Sequence, residues 1–184
     1  VIYPPVKTKE LIPEGNVNKK DYYVIVSVLS NYKNIQLAIK AFIKNGKKLV
    51  IAGDGPVFSE LHKLAQGHNN IEFKGRVSGS QKASLLQQAR AFVFCSIEDF
   101  GISMVEAISA QTPVVALRGG GAIEIVKEGI TGVFFDNPTV KELNSAINKL
   151  EATFDKNQPI KNSYVFSKFD QKTFISKVRE VAGE

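Results

Sequence analysis

Ala91-Phe92-Val93-Phe94-Cys95, followed by Ile97-Glu98-Asp99-Phe100-Gly101-Ile102-Ser103-Met104-Val105-Glu106, is the stretch whose reading decides the fold. The apolar run is too short for a helix and reads as a buried strand, while Ser103 to Ile108 opens a helical pattern. The acidic segment therefore caps the strand's carboxyl end, which is where open α/β sheets bind ligands. Glu98 stands where the chain leaves the sheet and can accept hydrogen bonds from a ligand's neutral hydroxyls through two oxygens. Glu106, about a turn into the helix, reaches a different part of the same ligand. Between them Gly101 permits close backbone approach, and the helix amino end offers free N–H groups and a positive dipole to an anion such as phosphate. The same residues also suit solvated charges on a loop and a helix face.

Outward from this stretch, strand-like segments alternate with helical patterns: Tyr23 to Leu29, Lys48 to Ala52, Ile71 to Lys74, Ala91 to Cys95, Pro113 to Leu117 and Gly132 to Phe135. Apolar strands joined by helices imply a parallel sheet covered on both faces. The expected fold class is thus α/β, a doubly wound, six-stranded parallel Rossmann-like sheet. The first helix carries Ile35, Ala38, Ile39, Phe42 and Ile43 on one face, with Asn34 as its cap and Gly46 after its end. Asn137-Pro138 begins another, with Val140, Leu143, Ile147 and Leu150 inward. The polar stretch 155–163 reads as a connection, after which Asp170 caps a strap helix with Phe174, Ile175, Val178 and Val181 inward.

A chain of 184 residues accommodates one substantial core. It divides into a leading segment 1–20, a sheet core 21–154 and a C-terminal connection and strap helix 155–184, together one ligand-binding domain. No signal peptide is legible, and Val1 with Tyr3-Pro4-Pro5 reads as a start in mid-protein. With 43% hydrophobic and 23% charged residues the composition is that of an ordinary soluble domain, and the apolar runs are strand-length. The lone Cys95 excludes internal disulfides, fits a reducing compartment and reads as a small core hydrophobe. The net charge of +6 suits a phosphorylated small molecule, an anionic membrane surface or nucleic acid. Its lysines are scattered without interleaved aromatics, which argues against a nucleic-acid partner.

Three further strand ends carry glycines: Gly53-Asp54-Gly55-Pro56, Gly75-Arg76-Val77 and Gly119-Gly120-Gly121. Each suits a tight turn; jointly they point to a ligand rim. No Gly-x-Gly-x-x-Gly follows the first strand and no Gly-Lys-Ser/Thr follows a glycine loop, so dinucleotide and Walker-type sites drop out. Lys33, at the mouth of the first strand, is positioned either to meet a diphosphate or to serve as a surface lysine. His62 and His68 lack metal-ligand spacing, and no Ser/His/Asp or Cys/His arrangement is legible.

Together, Lys33-Asn34, Gly53-Asp54-Gly55-Pro56, Phe73-Lys74-Gly75-Arg76-Val77, Glu98 to Ile102 with Glu106-Ala107, Thr112 to Val115, Gly120 to Glu124 and Gly129 to Phe135 strongly resemble the carboxyl-terminal domain of family 4 retaining glycosyltransferases of the GT-B fold. The likeness is greatest to bacterial and archaeal mannosyltransferases of surface polysaccharide and lipopolysaccharide. The resemblance implies one half of a two-domain, cytoplasmic enzyme, associated peripherally with the inner face of the membrane. That enzyme takes a hexose from a nucleotide sugar such as GDP-mannose, which is a substrate, and needs no separate cofactor or metal. Its missing amino-terminal half binds the acceptor and carries a catalytic histidine, so the present chain is expected to bind donor and transfer little. By the same resemblance Glu98 and Lys33 are the catalytic residues, Glu98 on the sugar and Lys33 on the diphosphate. Phe100, Gly101, Ile102 and Ser103 face sugar and diphosphate, and Glu106 takes the ribose. Gly75, Arg76 and Val77 meet the base, while Gly53, Gly55, Gly120 and Gly121 line the cleft. The chain departs from the family pattern at Val28, where an arginine is usual, so that either transition-state stabilisation or donor affinity is weaker or another cation such as Arg118 substitutes. A non-catalytic nucleotide-sugar-binding module and a nucleotide-sugar epimerase are the alternatives.

Overall fold

The computed structural model describes residues 1–15, 17–156 and 158–183; residue 16 of the leading segment and residue 157 of the connection lie outside the described residues. Six strands, β1 (Tyr22–Val26), β2 (Lys48–Ala52), β3 (Ile71–Gly75), β4 (Ala91–Phe94), β5 (Val114–Leu117) and β6 (Gly132–Phe135), form one parallel sheet in the order β3-β2-β1-β4-β5-β6. The expected doubly wound α/β class is what the chain adopts. One row of residues runs across the sheet in register: Val50 beside Val24, Val24 beside Phe92, Phe92 beside Val114 and Val114 beside Gly132. All are buried because helices cover both faces, which is why these strands read as unbroken apolar runs. Gly132 is required in this row, since a Cβ there would lie 2.2 Å from the Val114 carbonyl oxygen.

The helices are α1 (Ile35–Asn45), α2 (Phe58–Leu64), α3 (Gly79–Gln88), α4 (Ile102–Ser109), α5 (Ala122–Ile125), α6 (Val140–Thr153), α7 (Ser163–Phe169) and α8 (Gln171–Ala182). They form two layers, α1 packing with α2 and α6, and α4 with α3, α5 and α7. In α1 the residues Ile35, Ala38, Ile39 and Phe42 are buried at the expected helical spacing, and burying each large one contributes roughly 1.5–3 kcal/mol.

Four local expectations are corrected. β1 ends at Val26 rather than Leu29, because the chain turns away as Ser27 N donates to Ala52 O and Leu29 N donates to Asp54 O; Leu29 then fills the core and Val28 faces outward. Asn34 precedes α1 but caps it with no side-chain bond; it supplies a left-handed turn at φ 51°, which Asn tolerates well. Helix α6 starts at Val140, where Thr139 Oγ1 accepts from Glu142 N at 3.2 Å and Glu142 folds back to accept from the N–H groups of Asp136 and Asn137. Asp170 does cap the last helix, accepting from Thr173 N at 2.8 Å, yet α8 buries none of its residues, with Ile175 49%, Val178 40% and Val181 77% exposed. The burial expected of α8 belongs instead to α7, which inserts Val165 and Phe169 into the core. The leading segment is bound down as well: Val6 N donates to Phe169 O, and Thr8 and Leu11 are buried.

Candidate functional site

The strand order reverses between β1 and β4, and this switch point at the carboxyl ends of the strands is the ligand crevice of open α/β sheets. A cavity of about 740 Å³ opens there, walled by Ser27, Val28, Tyr32 and Lys33 after β1, by 97–103 after β4, and by Lys82, Glu106 and Pro4. Glu98, Lys33 and Glu106 thus share one chamber with Phe100, Gly101, Ile102 and Ser103. A smaller hollow of about 240 Å³, between Lys7 to Glu10 and Asp170 to Lys172, involves none of these residues.

Both glutamates of the chamber are held. Ser96 Oγ donates to Glu98 Oε1 at 2.6 Å, and the Lys33 ammonium lies 2.6 Å from Glu98 Oε2, with both side chains more than four-fifths buried. Glu106 pairs with Lys82 of α3 at 2.5 Å. The amino end of α4 is preceded by Gly101 at φ 90°, which offers no side-chain cap; Met104 N donates to the Gly101 carbonyl at 3.0 Å, and Ile102 and Ser103 of the first turn line the chamber. A side chain at 101 would strike the Met104 methyl at 2.4 Å as well as straining the backbone.

The remaining sequence candidates stand off the chamber wall. Gly53 and Gly55 let the β2 loop press on the β1 loop, since a Cβ would come within 1.8 Å of Ser27 O and 2.3 Å of Leu29 O. Gly120 and Gly121 do the same beneath the acidic loop: Gly121 N donates to Glu98 O at 2.7 Å, and Cβ atoms would meet Glu98 O at 2.2 Å and Phe100 O at 2.3 Å. Gly75 provides the turn after β3 at φ 62°, accepting from Gly53 N, and Arg76 is largely exposed, its Nε 3.4 Å from Asp54. Val77, half-buried, follows outside the chamber.

Arg118 does not substitute at Val28. Its guanidinium bonds Asp136 at 2.6 Å and Glu128 at 2.9 Å and sits over the Phe134 ring, a commitment that raises its pKa through those two hydrogen bonds. Cys95 is buried, which pushes its thiol up to about 12 and fits the inert core role.

Lys82 is the chamber-lining charged side chain that the motifs missed. Its signal was the Ser78-x-x-Gln81 capping box, which fixes the start of α3 at the carboxyl ends of the strands and places the next residue beside the crevice. Pro4 and Tyr3 of the leading segment were missed too. Tyr3 stacks on Phe100 at 5.9 Å and meets Phe169 edge-on at 5.1 Å, bracing the acidic loop.

Comparison with known proteins establishes the family and the fold. The chain is 34% identical over 137 residues to the D-rhamnosyltransferase WbpZ of Pseudomonas aeruginosa, covering 71% of the chain and 36% of that protein. It is 30% identical over 167 residues to the human alpha-1,3/1,6-mannosyltransferase ALG2, covering 79% of the chain and 39% of that protein. The chain thus spans well under half the length of these curated relatives. Among solved structures, Anabaena Alr3699/HepE in complex with UDP and glucose superposes with a TM-score of 0.85 at 23% identity, over all of this chain and 56% of that one, a likeness of fold. A family profile described as "Glycosyl transferases group 1" matches residues 7–164. The chain is a member of the group 1 glycosyl transferases, with a sheet of the kind found in GT-B enzymes.

Proposed function

We propose that this chain is the donor-binding domain of a retaining hexosyltransferase that moves mannose from GDP-mannose to a polysaccharide or lipid-linked acceptor. The observation that carries the reading is the meeting of Glu98 and Glu106, each with its own lysine, in one chamber at the switch point of the sheet. In this reading Glu98 holds the sugar hydroxyls, Glu106 the ribose hydroxyls, and Lys33 with the amino end of α4 neutralises the diphosphate. As the bond from the anomeric carbon to phosphate oxygen breaks, those cationic groups stabilise the departing nucleoside diphosphate while positive charge gathers on the sugar. Gly75 to Val77 contact the base; Gly53, Gly55, Gly120 and Gly121 act at one remove by letting the loops approach.

The mannose assignment draws on the sequence resemblance and on the name of ALG2. Acceptor binding belongs to a partner half, and the reaction is placed in the cytoplasm at the inner face of the membrane. Among the described residues no helix is long and apolar enough to cross it. A UDP-sugar is the second reading, favoured by the UDP in the Anabaena structure.

Calorimetric titration of this chain with GDP, UDP, ADP and their mannose and glucose conjugates tests the proposal. GDP-mannose is expected to bind tightest. A UDP-sugar in first place would replace the donor, and no affinity for any nucleotide sugar would overturn the domain's role.

A further inference from the structure

We infer that Lys82 is a second phosphate-binding cation of the chamber, meeting the phosphate beside the ribose while Lys33 meets the one beside the sugar; this rests on the donor reading above. Among the described residues, Lys33 and Lys82 are the cations lining the chamber. Arg118 is committed to Glu128 and Asp136, and Arg76 faces Asp54 from a largely exposed position.

The placement of Lys82 is not an accident of one helix. It belongs to α3, whereas Glu106 belongs to α4, and the pair bridges the two helices at 2.5 Å with side chains 29% and 15% exposed. Lys82, Ile102 and Glu106 also line an adjoining cavity of about 470 Å³ that reaches Gly79 and Ser80 at the start of α3, so the pair stands on the wall common to both spaces. A ligand running from one space to the other passes this lysine.

The order of groups in a nucleoside diphosphate sugar then assigns the contact. Base, ribose, first phosphate, second phosphate and sugar follow in line. With Glu98 on the sugar, its partner Lys33 lies nearest the second phosphate. With Glu106 on the ribose, its partner Lys82 lies nearest the first. A lysine ammonium on its flexible four-carbon stem can turn from carboxylate to phosphate, and that turn frees Glu106 to accept from the ribose hydroxyls. The two lysines thereby bracket the diphosphate from its two ends.

The test is titration of wild type, Lys82→Met and Lys82→Arg with guanosine, GMP and GDP. Lys82→Met is expected to weaken GMP and GDP roughly tenfold or more, the scale of a lost hydrogen bond to a charged group, while guanosine binding stays as in wild type. Lys82→Arg, which keeps the charge, is expected to restore most of the loss. If Lys82→Met weakens guanosine as much as GMP, the lysine only positions Glu106 and the assignment fails; it fails equally if GMP and GDP are unaffected. Wild type that binds neither GMP nor GDP, nor the corresponding uridine nucleotides, would instead overturn the donor reading itself.

Discussion

Glu98 has both carboxylate oxygens engaged, one by Ser96 and one by Lys33, and this dictates what its replacement does. Glu98→Gln removes the charge that holds Lys33 and the acceptor strength offered to a sugar, but takes nothing from a phosphate. Transfer by the intact enzyme is expected to vanish, while GDP affinity holds or rises because Lys33 is released. Glu106→Ala acts on the nucleotide itself and is expected to cost GDP binding roughly 1–3 kcal/mol. Calorimetry on both variants separates them, and an equal loss of GDP affinity in the two would contradict the division of roles. At this scale the sequence reading named the acids and Lys33 but not their pairing. Lys82 escaped because its partner lies 24 positions away on another helix, a distance that no local periodicity reports.

The loop between β4 and α4 is an element with little regular structure of its own, held by two sets of contacts. Gly120 and Gly121 press against its backbone, and Tyr3 and Phe169 pack on Phe100. The atoms facing a Cβ at Gly121 are backbone atoms of Asp99 and Phe100 at 2.3 to 2.7 Å, which cannot swing aside as a flexible side chain would. Gly121→Ala is therefore expected to destabilise the fold by about 1–3 kcal/mol and to displace Glu98. Thermal melting and donor titration should both fall, whereas Gly79→Ala, where a Cβ meets nothing within 4 Å, serves as the neutral control for the melting measurement. A Gly121→Ala variant with wild-type donor affinity would show that the loop is fixed otherwise. The glycines were legible in the sequence as strand-end turns, but what they pack against was not, since that depends on which loops the sheet order makes neighbours. The same limit explains α8: spacing reveals an apolar stripe on a helix but says nothing of what covers it.

For the molecule as a whole, the parallel sheet was legible because strands covered on both faces are apolar throughout, and Val24, Phe92, Val114 and their neighbours could be little else. One partly buried cation runs against that apolar background. Lys19 donates to Thr112 Oγ1 at 2.5 Å, and burial, with the nearby Arg90 adding to it, pushes its ammonium down from 10.5 to about 7. Between those two values the unfolded chain carries a proton that the folded chain lacks, so this group favours folding increasingly as pH rises through the window. Lys19→Met should accordingly raise the melting temperature most near pH 6 and least near pH 10. An increment independent of pH would refute the assignment.

The lysine–glutamate pairs have a consequence for which anions the chamber admits. Its acids, Glu98, Asp99 and Glu106, outnumber Lys33 and Lys82, so it is not an electropositive hole. A bare anion such as pyrophosphate, drawing both lysines to itself, would leave the glutamates facing it with nothing to hold. Only a guest that carries hydroxyls at both ends of its phosphates can exchange partners with all four side chains at once. On the donor reading entry is thus by substitution rather than by attraction, and inorganic phosphate and pyrophosphate are expected to bind this crevice weakly.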